Sequence, residues 1–383
     1  MSLDVFRGAT IAAMMLVNNP GSWDHVYEQL DHAEWNGWTF TDLIFPFFLW
    51  IVGVAVPLST AKRLERGESR GGLFLHALRR AVIIFCLGLF LAFFTFCING
   101  SYAKTGGFAQ WFGEVAATIR IMGVLQRIAV CYLMATGIYL CTSWRGQVAG
   151  VAGLLAGYWV LMRLGPGHEG IWPLTKEENF SRHVDGMILG KHAWNGAPWD
   201  PEGTVSTLPA IATCLFGILT GQLLQMKRSV EQKTGWLFTA GNLLMFAGAA
   251  MNIWLPINKN LWTSSYSLFM AGLAMDIFAV IYWLVDVKGY QRGAKPFAIY
   301  GMNAIAVFML SGIAGRIILI KTTGADGGMI SWQNYLYERF FDGPLAHLGL
   351  DPKICSLSWA VAWMLGLYLV AYGMYRMKWF VKF

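Results

Sequence analysis

Ten stretches of this sequence are long and apolar enough to read as membrane crossings, and they limit the fold more than any single motif does. A span needs roughly 20 mostly apolar residues to cross ~30 Å of hydrocarbon. The windows run approximately from 5 to 21, 41 to 60, 73 to 98, 119 to 141, 147 to 164, 207 to 226, 235 to 255, 264 to 285, 296 to 320 and 356 to 377. Unpaired backbone groups are too costly in lipid, so each window is predicted to be helical. The composition agrees, with 56% hydrophobic and only 13% charged residues, about half the charged share of a soluble domain. The expected fold is an all-α polytopic membrane protein with about ten transmembrane helices in one bundle.

No long linker, low-complexity tract or soluble-domain-sized insertion interrupts the chain, so 1–383 reads as a single transmembrane domain. The first apolar segment leads directly into polar loop without a small-residue cleavage site, and is read as a span rather than a signal peptide. Four cysteines (Cys86, Cys131, Cys141 and Cys214) fall inside spans, where a small apolar packing role is expected. Cys97 and Cys355 fall at one membrane surface and are the two that could pair.

Basic residues set the expected orientation. Ten spans put both termini on one side, whose loops and tail hold Lys62, Arg63, Arg66, Arg70, Arg145, Lys227, Arg228, Lys233, Lys288, Arg292, Lys295, Arg376, Lys378 and Lys382. The opposite loops hold Lys104, Lys176, Arg182, Lys191, Lys259, Lys321, Arg339 and Lys353, mostly in long connections that count least toward topology. Both termini are therefore expected in the cytoplasm. Sixteen of the 22 carboxylates fall on the outer side, among them Asp24, Glu28, Asp31, Glu34 and Asp42. Acids contribute little to orientation, so this excess reflects either loop solubility or attraction of a cationic ligand. With Arg7, Arg79 and Arg80 at helix ends, the cytoplasmic face suits an anion and the outer face an amine. Nothing in the pattern calls for a nucleic acid or a metal.

Polar groups inside the spans narrow the class. Arg120 and Arg127 share a helical face in IRIMGVLQR, Asn18 and Asn19 close the first span, Asp276 is mid-span, and Asn303 lies in YGMNAI. Such groups are rare at depth and mark a pathway or a site. Taken singly, each also fits an interhelical hydrogen bond or a snorkelling side chain; their number favours a site.

The runs SLDVFRG, LVNN, HAEWNGWTFTDLIFPFFLWIVG, RIMGVLQRIA, WDPEGTVSTLPAI, PINKNLWTSS and GMNAI span nearly the whole chain. In that order they resemble the heparan-α-glucosaminide N-acetyltransferase family of transmembrane acyltransferases. The chain looks like the bacterial branch of that family, without the large lumenal N-terminal region of the lysosomal enzyme. The resemblance implies transfer of an acetyl group from cytosolic acetyl-CoA to the amine of a terminal glucosamine across the bacterial inner membrane. The partners it implies are coenzyme A, an amino sugar and membrane lipid; a homodimer or trimer is compatible with it.

The resemblance also assigns residues. The catalytic histidine of H-A-x-W-N-G matches His32, and the asparagine closing the first span, also given a catalytic role, matches Asn18. These two lie fourteen residues apart here, farther than in the lysosomal pattern. Amide formation from a thioester needs the amine proton removed, and histidine is the side chain best suited to that task at neutral pH. An asparagine amide could hold the amine or donate to the oxyanion. In the 165–206 loop the acidic residue and the D-P-E-G motif match Asp185 and Asp200 to Gly203, so Asp185, Asp200 and Glu202 are expected to line the sugar site with Trp35 and Asn36. Asp200 and Glu202 equally fit residues leading into a helix. Trp38, Trp172, Trp194, Trp199 and Trp262 could stack on sugar faces, although an interfacial aromatic belt also explains them. A second motif, KHAWNG at 191–196, echoes HAEWNG and makes His192 the rival to His32.

For the donor, Arg79 and Arg80 in HALRRAVIIF are natural phosphate partners, because arginine's planar fork suits phosphate oxygens. Lipid-headgroup anchoring would place them equally well. Arg7 and Lys295 are further phosphate partners. With no glycine-rich phosphate loop, the coenzyme is expected to insert end-on between helices past Gln126, Arg127 and Asn303. Two other classes fit a chain of this kind. One is an O-acyltransferase acting on an exported polysaccharide; the other is a secondary transporter, for which the sequence offers no inverted repeat or pair of broken helices.

Overall fold

The computed structural model describes residues 1–102, 105–194, 199–323 and 329–381. Among them the helices are α1 (Ser2–Val17), α2 (Ile44–Glu65), α3 (Arg70–Ile98), α4 (Phe108–Thr118), α5 (Val124–Cys141), α6 (Trp144–Leu164), α7 (Phe180–Ile188) and α8 (Thr207–Gln225). There follow α9 (Val230–Met251), α10 (Ser264–Tyr282), α11 (Lys295–Met302), α12 (Ala304–Ile317), α13 (Trp332–Tyr337), α14 (Gly343–His347) and α15 (Pro352–Arg376). One small hairpin interrupts the helices: β1 (Lys321–Thr323) runs antiparallel to β2 (Met329–Ser331), with Lys321 opposite Ser331.

Each of the ten apolar windows contains helix. Seven helices (α2, α3, α5, α6, α8, α10 and α15) are long and apolar enough to cross a membrane, and an eighth span results if α11 and α12, bent by 76°, are taken together. The other two windows fall short by these measures. Helix α1 has 16 residues and rises only ~24 Å, whereas α9 has the length, at 22 residues, but not the apolarity. The bend between α11 and α12 is at Asn303, whose side-chain amide donates to the Trp379 carbonyl (3.0 Å) and accepts from the Val381 amide (3.0 Å). A broken helix is therefore present after all, and its polar hinge is used to fasten the end of the chain.

The core is built around α2, α8 and α10, where Leu49, Trp50, Leu215, Tyr266 and Phe278 are fully buried. Phe6 of α1 joins Trp50 and Phe278 at ring separations of 5.8 and 6.1 Å. Along the α2–α8 seam a Cβ on Gly53 would lie 2.0 Å from the Cys214 carbonyl oxygen, and one on Gly217 would lie 2.1 Å from that of Trp50. Glycine is required there so that two backbones can touch, as small residues allow in membrane bundles. This contact holds the loop ahead of α2 and the loop ahead of α8 at the same end of the bundle. The six cysteines are unpaired: Cys355, Cys131 and Cys214 are buried, while Cys97, Cys86 and Cys141 are exposed. Lys104 and Lys382, and Asn195 and Gly196 of the echoed motif, lie outside the described residues.

Candidate active site

The loop before α2 is folded around one carboxylate. Asp42 Oδ2 accepts from the backbone amides of Ala33 and Thr39, each at 3.1 Å. Thr39 and Asp42 form a capping box on the short 3-10 turn Phe40–Leu43 that feeds α2, the reciprocal arrangement that satisfies otherwise orphaned donors at a helix start. The Thr39 hydroxyl also donates to the Asp31 carbonyl at 2.5 Å. The Tyr266 hydroxyl of α10 donates to the Asp42 carbonyl at 2.6 Å, tying the turn to the core. Asp42 Oδ1 remains free to meet His32 Nδ1, at 2.7 Å. The Asp42 side chain is 1% exposed and that of His32 46%, so a buried acid orients an accessible ring. A carboxylate at Nδ1 selects the tautomer with its proton there and leaves Nε2 with a lone pair.

A third group touches this pair. Lys259 Nζ lies 3.0 Å from His32 Nδ1, 3.1 Å from Nε2 and 3.6 Å from Asp42 Oδ1. Its loop is zipped to the His32 loop: Gly37 N donates to the Ile257 carbonyl (2.8 Å), and Asn258 Nδ2 donates to Asn36 Oδ1 (3.3 Å). Asn258 Oδ1 in turn accepts from Leu261 N at 2.8 Å. Burial draws the Lys259 amine below its ordinary value, and the Asp42 and Glu202 carboxylates partly offset that. Asn36 thus holds the loop carrying Lys259, and Trp35 is tied by its indole N–H to the Leu174 carbonyl (2.8 Å). Trp35 meets Trp199 edge-on at 5.8 Å, and Trp199 lies 6.3 Å from Trp194. Trp172 and Trp262 are core residues, 4% and 1% exposed.

The carboxylates of the D-P-E-G motif are engaged inside the protein. Arg120 Nε donates to Asp200 Oδ2 at 2.8 Å, and its Nη2 bonds both Asp200 Oδ1 and Glu202 Oε2. Burial pushes both carboxyls up; for Glu202 the combined charge of Arg120, Arg127 and Lys259 prevails and holds it low, whereas Asp200 stays raised. Asp185 is fully buried and accepts from the backbone amides of Thr204 (2.8 Å) and Asp200 (3.3 Å). A Cβ on Gly203 would lie 2.0 Å from Asp185 Oδ2, so only glycine lets the motif close on this acid. Burial nevertheless raises the Asp185 carboxyl. His192 anchors the same structure from outside: its Nδ1 meets the Ile119 carbonyl at 2.8 Å and its own carbonyl accepts from Ile121 N. Two histidines of similar motifs have different surroundings, one on a carboxylate and one on the backbone that carries Arg120.

Arg127 is fully buried. It faces the D-P-E-G loop rather than the opposite end of the bundle, donating through Nη2 to the Gly203 carbonyl (3.0 Å) and to the Ser206 hydroxyl. Its guanidinium lies over Trp262 at 5.2 Å, a favourable cation–π placement. Its Nε and Nη1 have no hydrogen-bond partner among the described residues.

Below this polar cluster a cavity of about 350 Å³ opens between α1, α2, α3, α5, α11 and α12. Apolar side chains such as Met14, Ile51, Val56, Leu125 and Phe308 form most of its wall, and Arg7, Arg80, Ser59 and Tyr132 are its polar members. The Arg7 and Arg80 charges act on each other. Arg7 is bonded to Asp4 at 2.9 Å, whereas Arg80 sits over Tyr132 at 5.3 Å and its buried Nε has no hydrogen-bond partner among the described residues. Helix α2 joins the two features, leading from Asp42 to a face, Phe48 to Ser59, that lines the cavity.

The remaining residues singled out in the sequence are placed as follows. Arg79 is exposed and Lys295 is exposed, and neither lines the cavity; Gln126 is buried against Gly88 and Gly123 beside it. Asn18 caps the C-terminus of α1 with its side chain exposed and, among the described residues, without a hydrogen bond to His32. Asp42 and Lys259 were missed as site residues. Their signals were present as the T-x-x-D spacing of a capping box ahead of an apolar run and as the lone basic residue in PINKNLWTSS.

A family described as a domain of unknown function (DUF5009) matches residues 2–103, which carry α1 to α3 and the His32 loop. The heparan-alpha-glucosaminide N-acetyltransferase of Homo sapiens is 28% identical across 80% of this chain and 52% of its own length. The enzyme of the same name from Mus musculus gives the same identity and coverage. The chain spans about half the length of the curated relatives it matches. It is a relative of the heparan-α-glucosaminide N-acetyltransferases, as its motif runs imply.

Proposed function

We propose that this protein is a transmembrane N-acetyltransferase that moves an acetyl group from acetyl-CoA, bound at the Arg7–Arg80 end, to the amine of a terminal glucosamine at the His32 end. In the cell the donor end and both termini face the cytoplasm, and the sugar end faces the periplasm of a bacterial inner membrane. The observation that carries the reading is the 2.7 Å contact between His32 Nδ1 and the buried Asp42, which makes Nε2 a positioned general base.

The donor fits the cavity on two counts. The apolar wall suits a flexible acyl-bearing arm, and the paired guanidiniums, one with a buried N–H unpartnered among the described residues, supply fork donors for phosphate oxygens. His32 Nε2 takes the proton from the sugar amine as its nitrogen attacks the thioester carbonyl carbon. Asp42 holds the ring and stabilises the imidazolium that results. Collapse of the tetrahedral intermediate breaks the C–S bond, and the thiolate leaves with its electron pair and is then protonated. The acyl arm of the donor reaches from its phosphate end to His32, where the sugar amine takes the acetyl group directly. Trp35 and Trp199 provide an apolar face for the sugar ring, while Asp185, Asp200, Glu202 and Arg120 form the rigid wall behind it.

Purified protein in detergent, given acetyl-CoA and glucosamine, is expected to release free thiol in proportion to N-acetylglucosamine formed. No thiol release overturns the reading. The broken α11–α12 pair favours a second reading, a secondary transporter. A transporter moves its substrate without releasing thiol, so the same assay separates the two. Replacing the amine acceptor with a sugar hydroxyl separates N- from O-acyl transfer.

A further inference from the structure

Lys259 is a cation in contact with the His32–Asp42 pair, and the reaction above gives it no role. Its Nζ is 3.0 and 3.1 Å from the two ring nitrogens, closer than to its nearest carboxylate oxygen, Asp42 Oδ1, at 3.6 Å. An ammonium can donate to an imidazole only while that ring is neutral. Once His32 accepts the amine proton, two positive charges stand in contact, and the ammonium must turn elsewhere.

The surroundings leave it few places to go. Asp42 Oδ1 is committed to His32 Nδ1, and Oδ2 is saturated by the Ala33 and Thr39 amides. Glu202 is held by Arg120. The Lys259 carbonyl accepts from Trp262 N at 3.0 Å, and neighbouring Asn258 bonds Asn36 and Leu261, so a change of partner falls to the four-carbon stem. The one new anion in the neighbourhood is the oxygen of the tetrahedral intermediate, which forms next to Nε2 as the ring becomes charged.

We infer that Lys259 is a catalytic residue: it rests on neutral His32 before reaction and turns to the oxyanion as His32 becomes protonated. The inference rests on the acyl-transfer reading. As the amine nitrogen bonds the carbonyl carbon, the carbonyl electron pair moves onto oxygen and meets the Lys259 ammonium, while the proton goes to His32 Nε2. When the C–S bond breaks, the carbonyl re-forms, the imidazolium returns its proton to the thiolate, and Lys259 returns to the neutral ring. Burial that weakens the ammonium's hold on its proton suits a donor working against a desolvated oxyanion.

The test compares Lys259→Met, which keeps the length and removes the donor, with Lys259→Arg, which keeps charge and N–H groups. The measurements are kcat, KM for acetyl-CoA, and Kd for coenzyme A and for a trifluoromethyl-ketone analogue of acetyl-CoA, whose hydrate imitates the oxyanion. Lys259→Met is expected to lower kcat by ~10²-fold, the low end for losing one oxyanion donor, with KM and the coenzyme A Kd unchanged and the analogue bound at least tenfold more weakly. Lys259→Arg recovers part of both losses. Wild-type kcat and analogue affinity in Lys259→Met overturn the inference, as does an equal loss of coenzyme A and analogue binding, which marks a structural role. If the wild type releases thiol with a sugar hydroxyl but with no amine, the acceptor reading fails, and the same contrast measured on that acceptor still decides the role of Lys259.

Discussion

The two ends of the bundle treat charge in opposite ways. At the His32 end opposite charges meet inside the protein: His32 and Lys259 face Asp42, and Arg120 faces Asp200 and Glu202. At the other end two guanidiniums, Arg7 and Arg80, line one apolar cavity, and among the described residues Asp4 is the only carboxylate paired with either. A buried charge is tolerated when it is paired and hydrogen-bonded. At the first end the carboxylates Asp42, Asp200 and Glu202 each have a cationic partner without ligand, so these groups are held in fixed relation before any substrate arrives. At the second, Arg7 has Asp4, but Arg80 has no carboxylate bonded to it among the described residues, and a phosphorylated ligand would supply one.

Breaking the first end should affect chemistry and leave binding at the second intact. His32→Ala is expected to reduce turnover by ~10²- to 10⁴-fold, the range for a general base, while isothermal titration with coenzyme A gives the wild-type Kd. His192→Ala should cost far less, because its ring holds a backbone carbonyl and no acid. Joint loss of turnover and coenzyme A affinity in His32→Ala would mean that the two ends are one site.

The Arg120 network should respond in stability. Arg120→Ala leaves two buried carboxylates without their cation, a change that costs ~3–5 kcal/mol when one partner of a buried pair is removed. Thermal unfolding in detergent should show a large drop. Adding Asp200→Asn and Glu202→Gln to Arg120→Ala should recover most of it, since neutral amides need no cation. No recovery would show that Arg120 acts through packing of its stem.

Breaking the second end should affect binding and leave the histidine site intact. Changing Arg7 and Arg80 together to alanine is expected to weaken coenzyme A by at least tenfold, given ~1.5–3 kcal/mol for a charge-assisted hydrogen bond. With donor in excess, kcat should return toward the wild-type value. A kcat that stays low at saturation would place these arginines in the chemical step.

Much of this was legible in the sequence, because apolar runs of span length have few structural alternatives in lipid. Each of the ten windows contains helix, seven or eight of them long and apolar enough to cross a membrane, while α4, α7, α13 and α14 lie outside the windows; the motif runs carry the kinship that the human and mouse relatives bear out. What escaped reading were partnerships between residues far apart in the chain. Lys259 reaches His32 across 227 positions and Arg120 reaches Asp200 across 80; no local pattern encodes either. Asp200 and Glu202 were expected to face a sugar, and Arg120, on a short loop ahead of α5, binds both. Asn303 was expected to line the donor passage; its side chain fastens residues 379 and 381 at a helix bend, between the cavity residues Met302 and Ala304. Whether Cys97 and Cys355 pair was left open by the sequence; in the structure both are free, Cys355 buried and Cys97 exposed.

The smallest expected effect gives the sharpest comparison, because it sets two adjacent arginines against each other. Arg79 and Arg80 are indistinguishable as sequence, but one helical step turns Arg79 outward and Arg80 toward Tyr132 and the cavity. An exposed charge contributes ~0–1 kcal/mol, so Arg79→Ala should leave coenzyme A affinity within a few-fold of wild type, as should Lys295→Ala. Arg80→Ala should cost clearly more. Arg80→Lys should fall between, because lysine keeps the charge but presents no planar fork and cannot reproduce the stacking on Tyr132. Equal losses in Arg79→Ala and Arg80→Ala would mean that the phosphates spread over the outside of α3, and the contrast between a paired end and an open one would give way to a basic surface without a defined socket.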